Sequence, residues 1–163
     1  MTGTRSSPTR RGRRFDSPEQ EVFLNLWRTY DRLRALEEEL FGRYGLTPQQ
    51  YNALRLLRAE HPAQVATLAL AARLVSRAPD ITRLLDKLEQ RGLIQRDRPA
   101  EDRRTVRVGI TPAGLALLEE LREPIRRCHA RQLGHLSARD LKTLAALLRA
   151  ARAPHEDPSG IWQ

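Results

Sequence analysis

Across residues 68 to 114 the spacing of apolar, glycine and arginine residues leaves little freedom of fold. A short apolar helix and a turn lead into a second helix over 77 to 91, in which Ile81, Leu84, Leu85 and Leu88 recur at helical spacing while Arg77, Asp80, Arg83 and Lys87 point elsewhere. Ser76 is placed to cap that helix, with Pro79 still inside its first turn, where a missing N–H costs nothing. Gly92 supplies a left-handed stop. Residues 93 to 98 and 105 to 110 then read as strands; in the second, Val106, Val108 and Ile110 alternate with Thr105, Arg107 and Gly109. The tip joining them is Pro99-Ala100-Glu101-Asp102-Arg103-Arg104.

Helix, turn, helix and an arginine-tipped hairpin, in that order, outline a winged helix-turn-helix, whose second helix enters a major groove while its wing reaches along the backbone or into the minor groove. On that outline Ser76, Arg77, Pro79 and Asp80 meet base edges, Arg83 one turn on reaches a phosphate or a guanine, and Thr82 and Lys87 complete the DNA-facing side. A solvated charged face is the competing reading of Arg77, Arg83 and Lys87, and the wing weighs against it. At i,i+2 spacing, Asp102 and Arg104 project to one side of an extended tip. A charge-assisted pair there aims the guanidinium outward, toward a narrow minor groove, beside Arg103. The alternative is an ordinary charged tip, since exposed ion pairs are worth about 0–1 kcal/mol; the crowding of Arg96, Arg98, Arg103 and Arg107 on one hairpin favours DNA contact.

Composition sets the outer bounds. A chain of 163 residues with 40% apolar content supports one domain with a real core. The net charge of +9 looks strongly basic, yet Arg5, Arg10, Arg11, Arg13 and Arg14 supply five of those charges, so the folded part is moderately basic. That balance suits a polyanion, because arginines gain affinity by releasing counterions from phosphates. Cys128 is the single cysteine, which leaves no disulfide framework and no cysteine-based zinc set. Apolar runs fall short of the roughly 18 residues of a membrane span, and no apolar signal core follows the basic N-terminus, so no membrane partner and a cytoplasmic location are expected.

Residues 1 to 16 are polar and aperiodic, a basic arm expected to be disordered in isolation; it either tracks phosphates or is simply solvated. From Pro18, Val22, Phe23, Leu26, Trp27, Tyr30, Leu33, Leu36, Leu40 and Tyr44 define a long first helix, with an apolar surface wider than one small domain needs. Leu46-Thr47-Pro48-Gln49-Gln50-Tyr51 writes a helix start in full, with Thr47 as cap, Pro48 at the first position and Gln50 closing a capping box. That helix carries Tyr51, Leu54 and Leu57 inward and stops at His61-Pro62. Thr67 opens a short third helix. Thr111-Pro112 starts a fifth, with Leu115, Leu118, Leu121 and Ile125 on one face, and Leu136-Ser137 starts a sixth through Leu144, Leu147 and Leu148. Residues 154 to 163 read as a loose tail. The fold class is therefore mainly α with a small β-hairpin wing.

No residues gather as chemistry requires. His61, His129, His135 and His155 have no ligand-like spacing, and there is no glycine-rich phosphate loop and no nucleophile in a recognisable setting. No enzyme, metal site or cofactor is expected.

The segments Leu46-Thr47-Pro48-Gln49-Gln50-Tyr51, Ile81-Thr82-Arg83-Leu84-Leu85-Asp86-Lys87-Leu88-Glu89-Gln90-Arg91-Gly92-Leu93-Ile94, Glu101-Asp102-Arg103-Arg104 and Ile110-Thr111-Pro112-Ala113-Gly114 together resemble the MarR family of bacterial transcription regulators, in its order and spacing over residues 23 to 148. The resemblance implies one domain over 17 to 153, with dimerisation helices at 17–45 and 112–153 around a DNA-binding lobe at 46–111. It implies a homodimer on a pseudo-palindromic operator in double-stranded DNA, with Asp102 and Arg104 as the wing pair and Arg83 as the recognition-helix arginine. Leu26, Leu121, Ile125, Leu144 and Leu148 then lie in the dimer interface.

Many members of that family release DNA when a small, often aromatic, anion enters a crevice, and Trp27, Tyr30, Tyr51, Leu54 and Arg55 are the residues that would line it here; taken singly, each reads more simply as core or interface. The function implied is a ligand-responsive, sequence-specific repressor. An architectural winged-helix protein without base readout is the alternative. The peroxide-sensing branch carries a cysteine near the start of the first helix, where this chain has Gln20, Glu21 and Val22; the urate-responsive branch has an acidic residue where Asn52 follows Tyr51. Cys128 sits among Arg126, Arg127 and His129, whose charge is of the sign that lowers a thiol pKa, while a lone helical cysteine reads more simply as inert.

Overall fold

The computed structural model describes residues 15–75, 80–98 and 105–156. The chain forms two compact units, one ending at Ala35 and the other starting at Leu36. The first helix, α1 (Pro18–Gly42), opens on a reciprocal cap: Ser17 Oγ accepts from Gln20 N at 3.1 Å, and Gln20 Oε1 accepts from Asp16 N at 2.7 Å. Within the first unit most of its apolar side chains face solvent. Val22, Phe23, Trp27 and Tyr30 are exposed, and the rings of Phe23 and Trp27 lie 6.2 Å apart in a tilted pair.

In the second unit the local signals act where the sequence places them. Helix α2 (Pro48–Glu60) starts with the expected capping box, Thr47 Oγ1 accepting from Gln50 N at 3.2 Å and Gln50 Oε1 from Thr47 N at 2.9 Å. After α3 (Thr67–Arg73) comes α4 (Ile81–Gln90), which turns at Gly92 (φ +67°) into the hairpin strands β2 (Ile94–Asp97) and β3 (Arg107–Ile110). Helix α5 (Pro112–Leu133) is capped by Thr111, whose Oγ1 accepts from Gly114 N at 3.1 Å and donates to the Gly92 carbonyl at 2.6 Å. Helix α6 (Ala138–Arg152) is capped by Ser137 and runs into a 3-10 turn, Ala153–His155, so the segment read as a loose tail begins with ordered structure.

A strand too short for any periodic signal completes the sheet. β1 (Val65–Ala66) pairs antiparallel with β3, giving the order β1-β3-β2, with Val108 facing Val65 on one side and Arg96 on the other. The core lies beneath this sheet. Leu54, Leu57, Leu70, Leu85, Leu88, Val108 and Leu121 are fully buried, joined by Ile94, Ile110, Leu118 and Ile125. At about 1.5–3 kcal/mol for each large apolar side chain fully removed from water, this cluster dominates the stability of the second unit.

Three expectations change here. The recognition helix begins at Ile81 with Asp80 as its cap, its Oδ1 accepting from Arg83 N at 2.9 Å; aspartate caps as well as serine does, and it stands closer to the helical stripe than Ser76. Leu121 and Ile125, read as dimer contacts, are buried in the protomer's own core, where α5 packs against α2. Leu54, read as a ligand contact, is likewise fully buried.

Candidate nucleic-acid interface

Helix α4 divides cleanly into two faces. Leu85 and Leu88 are buried with Ile81 and Leu84 partly so, while Thr82, Arg83 and Lys87 are exposed. The four-residue step from Arg83 to Lys87 sets both cations on one side, one turn apart. Arg83 Nε stands 3.9 Å from Asp80 Oδ2, and its side chain is 78% exposed, so the guanidinium stays available. As cap, Asp80 uses one carboxylate oxygen on the helix backbone and is less free for a base edge than the sequence suggests. Ser76, Arg77 and Pro79, the other expected base contacts, lie outside the described residues, as do Asp102, Arg103 and Arg104 of the tip.

On the hairpin the arginines separate into two kinds. Arg98 and Arg107 are exposed. Arg96 is not: its Nε donates to Glu89 Oε2 at 2.9 Å, its Nη2 reaches Asp86 Oδ1 at 2.7 Å as well as Glu89, and its backbone N–H donates to Glu89 Oε1 at 3.2 Å. The hydrogen bonds from Arg96 hold the Glu89 carboxyl below its ordinary pKa, and the same bonds, with the one Arg96 donates to Asp86, raise that of Arg96. The expectation that Arg96 joins the DNA-facing arginines is therefore corrected. Its partners are seven and ten residues back, on a different element, which no local spacing rule reveals.

A second arginine was also silent in the sequence. Arg91, the C-cap residue just past α4, donates from Nη1 to the Gly45 carbonyl at 2.7 Å and from Nη2 to the Tyr44 carbonyl at 3.0 Å. Arg73 does similar work between α3 and α2, its Nη1 bonding Glu60 Oε1 at 2.6 Å.

The residues expected to line a ligand crevice are distributed as follows. Trp27 and Tyr30 belong to the first unit and are exposed there. In the second, Tyr51 stacks on Phe41 with centroids 4.7 Å apart, and burial pushes its phenol above the ordinary pKa. Arg55 is exposed and bonds Asn52 at 3.3 Å. A different groove, of about 350 Å³, is lined by Leu36, Leu40, Tyr44, Pro124, Cys128 and Arg131 among others. The Cys128 thiol there is pushed up rather than down, by desolvation first and by the nearby Glu37 carboxylate next, against a smaller opposing effect of Arg131. The flanking arginines that suggested a lowered pKa turn away to Glu123, which Arg126 and Arg127 hold at about 2.

The interface candidates among dimer residues differ from one another. Leu26 and Leu148 are exposed at 38% and 37%, Leu144 is partly buried, and α6 has no buried residue at all. Among the described residues no helix is long and apolar enough to cross a membrane.

Comparison with known proteins places this geometry among relatives. The MarR family model matches residues 46–106. A solved MarR transcription factor from Planctomyces limnophilus is 56% identical, covering 84% of this chain and 99% of that one with a TM-score of 0.67. Among curated proteins, the HTH-type transcriptional regulator PapX of Escherichia coli is 30% identical over 94 residues, 58% of this chain and 57% of PapX, so the match spans little more than half of that relative. Sco3205, a MarR family transcriptional regulator from Streptomyces coelicolor solved in complex with DNA, superposes with a TM-score of 0.78 over 93% of this chain and 97% of that one; at 16% identity this likeness concerns the fold alone.

Proposed function

This chain belongs to the MarR family of transcription regulators, and on that premise we propose that it acts as a homodimeric, sequence-specific DNA-binding repressor that leaves a pseudo-palindromic operator when a small ligand binds. The observation that carries the DNA part is the exposed Thr82, Arg83 and Lys87 side of α4, opposite a stripe sealed into the core and directly followed by an antiparallel hairpin. Arginine at Arg83 suits bidentate contact with a guanine or a phosphate. The wing contact is assigned to Asp102 and Arg104 on the strength of the family motif, with Arg103 beside them in the sequence.

The homodimer reading is supported by apolar surface that the protomer leaves in water. Phe23 and Trp27 on α1 and Leu147 on α6 are each more than 60% exposed. Such surface on a soluble chain marks a protein contact. Two copies related by a two-fold axis would set their recognition helices about one DNA turn, roughly 10 bp, apart. A ligand response is proposed by likeness to the family, with Tyr51 and Arg55 of the second unit as its contacts there, while Leu54 is fully buried in the core.

Titration of the purified protein on DNA from upstream of its own gene, against scrambled DNA at two salt concentrations, tests the reading. Preferential, dimer-stoichiometric binding of the upstream fragment is expected. Equal binding to both, collapsing as salt rises, identifies an architectural DNA-binding protein instead.

A further inference from the structure

We infer that Arg96 is a positioning residue for DNA reading: it locks the wing hairpin to the recognition helix, so that the two meet DNA as one rigid body. The inference rests on the DNA-binding reading above. Arg96 sits within β2, and the carboxylates it joins, Asp86 and Glu89, lie three residues apart on α4, on the side that faces the strand. The fork of a guanidinium can hold both at once, which the compact ammonium of a lysine cannot do with the same geometry.

Charge argues against a direct phosphate contact. Two carboxylates around one guanidinium leave the cluster with a net negative charge, and a phosphate approaching it meets repulsion. Exposure agrees: the Arg96 side chain is 25% exposed against 78% for Arg83. The only covalent joint between α4 and β2 is the short turn through Gly92, a residue with φ +67° and no Cβ to restrict it. Any angular play at that joint grows along the hairpin, and a brace beyond the joint removes it.

The brace also closes an open sheet edge. β2 is an outer strand of the sheet, and the Arg96 N–H is taken by Glu89 Oε1 rather than by another strand. Beneath it, Leu85, Leu88, Ile94 and Val108 are buried independently of the ion cluster, so the fold survives its loss.

The test uses the full chain and its upstream DNA. Arg96→Gln is expected to weaken binding of the upstream fragment tenfold or more, to leave affinity for scrambled DNA within about twofold, and to leave the slope of log K against log salt unchanged. A phosphate ligand would lower both affinities and reduce that slope by about 0.9; that result, or unaltered binding, overturns the inference. Arg96→Lys is expected to resemble Arg96→Gln on the upstream fragment, and its full recovery of wild-type binding would show that charge rather than the fork matters, overturning it too. Hydrogen exchange reads the brace without DNA. In Glu89→Ala the Arg96 amide is expected to exchange at least tenfold faster while the amides of β3 keep their protection; an unchanged rate removes the brace. Wild-type protein that binds both DNAs equally removes the DNA reading instead, and the exchange result still stands on its own.

Discussion

The guanidinium of Arg91, at the C-terminal cap of α4, donates to the carbonyl of Gly45 at 2.7 Å, in the turn between α1 and α2. That turn needs Gly45 in the left-handed region (φ +63°), and the backbone bonds that close it run from the N–H groups of residues 43 to 46 to the carbonyls of Leu40, Phe41 and Gly42, while the carbonyls of Tyr44 and Gly45 accept from Arg91. One end of the recognition helix is thus tied to the end of the first helix. Arg91→Ala is expected to destabilise the protein by about 1 kcal/mol, two charge-assisted bonds discounted for their exposure. Urea unfolding checks this; an unmoved midpoint would mean that the bonds contribute nothing.

The contact between Arg96 and Glu89 has a pH signature whose sign follows from the depressed carboxyl pKa. A group whose folded pKa lies below its unfolded value, about 4.3 for glutamate, contributes stability that is fully present above the unfolded value and disappears as pH falls through the folded one. Glu89→Gln should therefore melt below wild type near neutrality, and the two melting curves should converge as the solution is acidified below the usual carboxylate range. A gap that persists unchanged in acid would show that the charge on Glu89 is not what matters.

Gly114 is required by close approach. A Cβ placed there would stand 2.3 Å from the Leu93 carbonyl oxygen and 2.7 Å from Ile110 Cγ1, inside the joint where Thr111 N bonds the same Leu93 carbonyl at 3.1 Å. Backbone must move to admit even a methyl group. Gly114→Ala is expected to cost about 1–3 kcal/mol by overpacking, despite alanine's better helix propensity. A thermal midpoint at or above wild type would contradict this.

For base reading, Arg83→Ala should weaken upstream binding by about 1–3 kcal/mol and relax preference at one base pair of each half-site, without altering stability, because the side chain is largely in water. Competition binding against single-position operator variants measures it. Uniform weakening over all variants would assign Arg83 to a phosphate.

For assembly, Leu148→Asp places a charge on an exposed apolar position of α6 that the protomer core does not use. Sedimentation is expected to show monomers, with circular dichroism unchanged and upstream DNA affinity lost. A dimer that tolerates the substitution would move the interface away from this part of α6.

Much of the candidate site was legible because the signals are local. The capping box at Thr47 and the caps at Thr111 and Ser137 close through side chain to backbone bonds three residues apart, and the stripe of Leu85 and Leu88 is a matter of helical period. Arg83 and Lys87 follow from that stripe as its complement. The cap at Asp80 is ambiguous for a local reason: Ser76 and Asp80 are both good caps by residue type, and the bond from Arg83 N to Asp80 Oδ1 identifies Asp80 as the cap of Ile81–Gln90.

What the chain determined alone was therefore the order and type of its helices and hairpin, and which side of the recognition helix stays polar, because turn chemistry and period act over three or four residues. Tertiary structure decided where each ambiguous side chain is used. An arginine looks the same in sequence whether it meets a phosphate or two carboxylates, and only the packing of β2 against α4 assigned Arg96 to Asp86 and Glu89. A leucine looks the same in a core or an interface, and only the docking of α5 on α2 buried Leu121 within the protomer while α6 kept Leu148 at its surface. Burial and ion pairing depend on what a side chain meets across the fold, and that is a property of the assembled surfaces rather than of neighbouring letters.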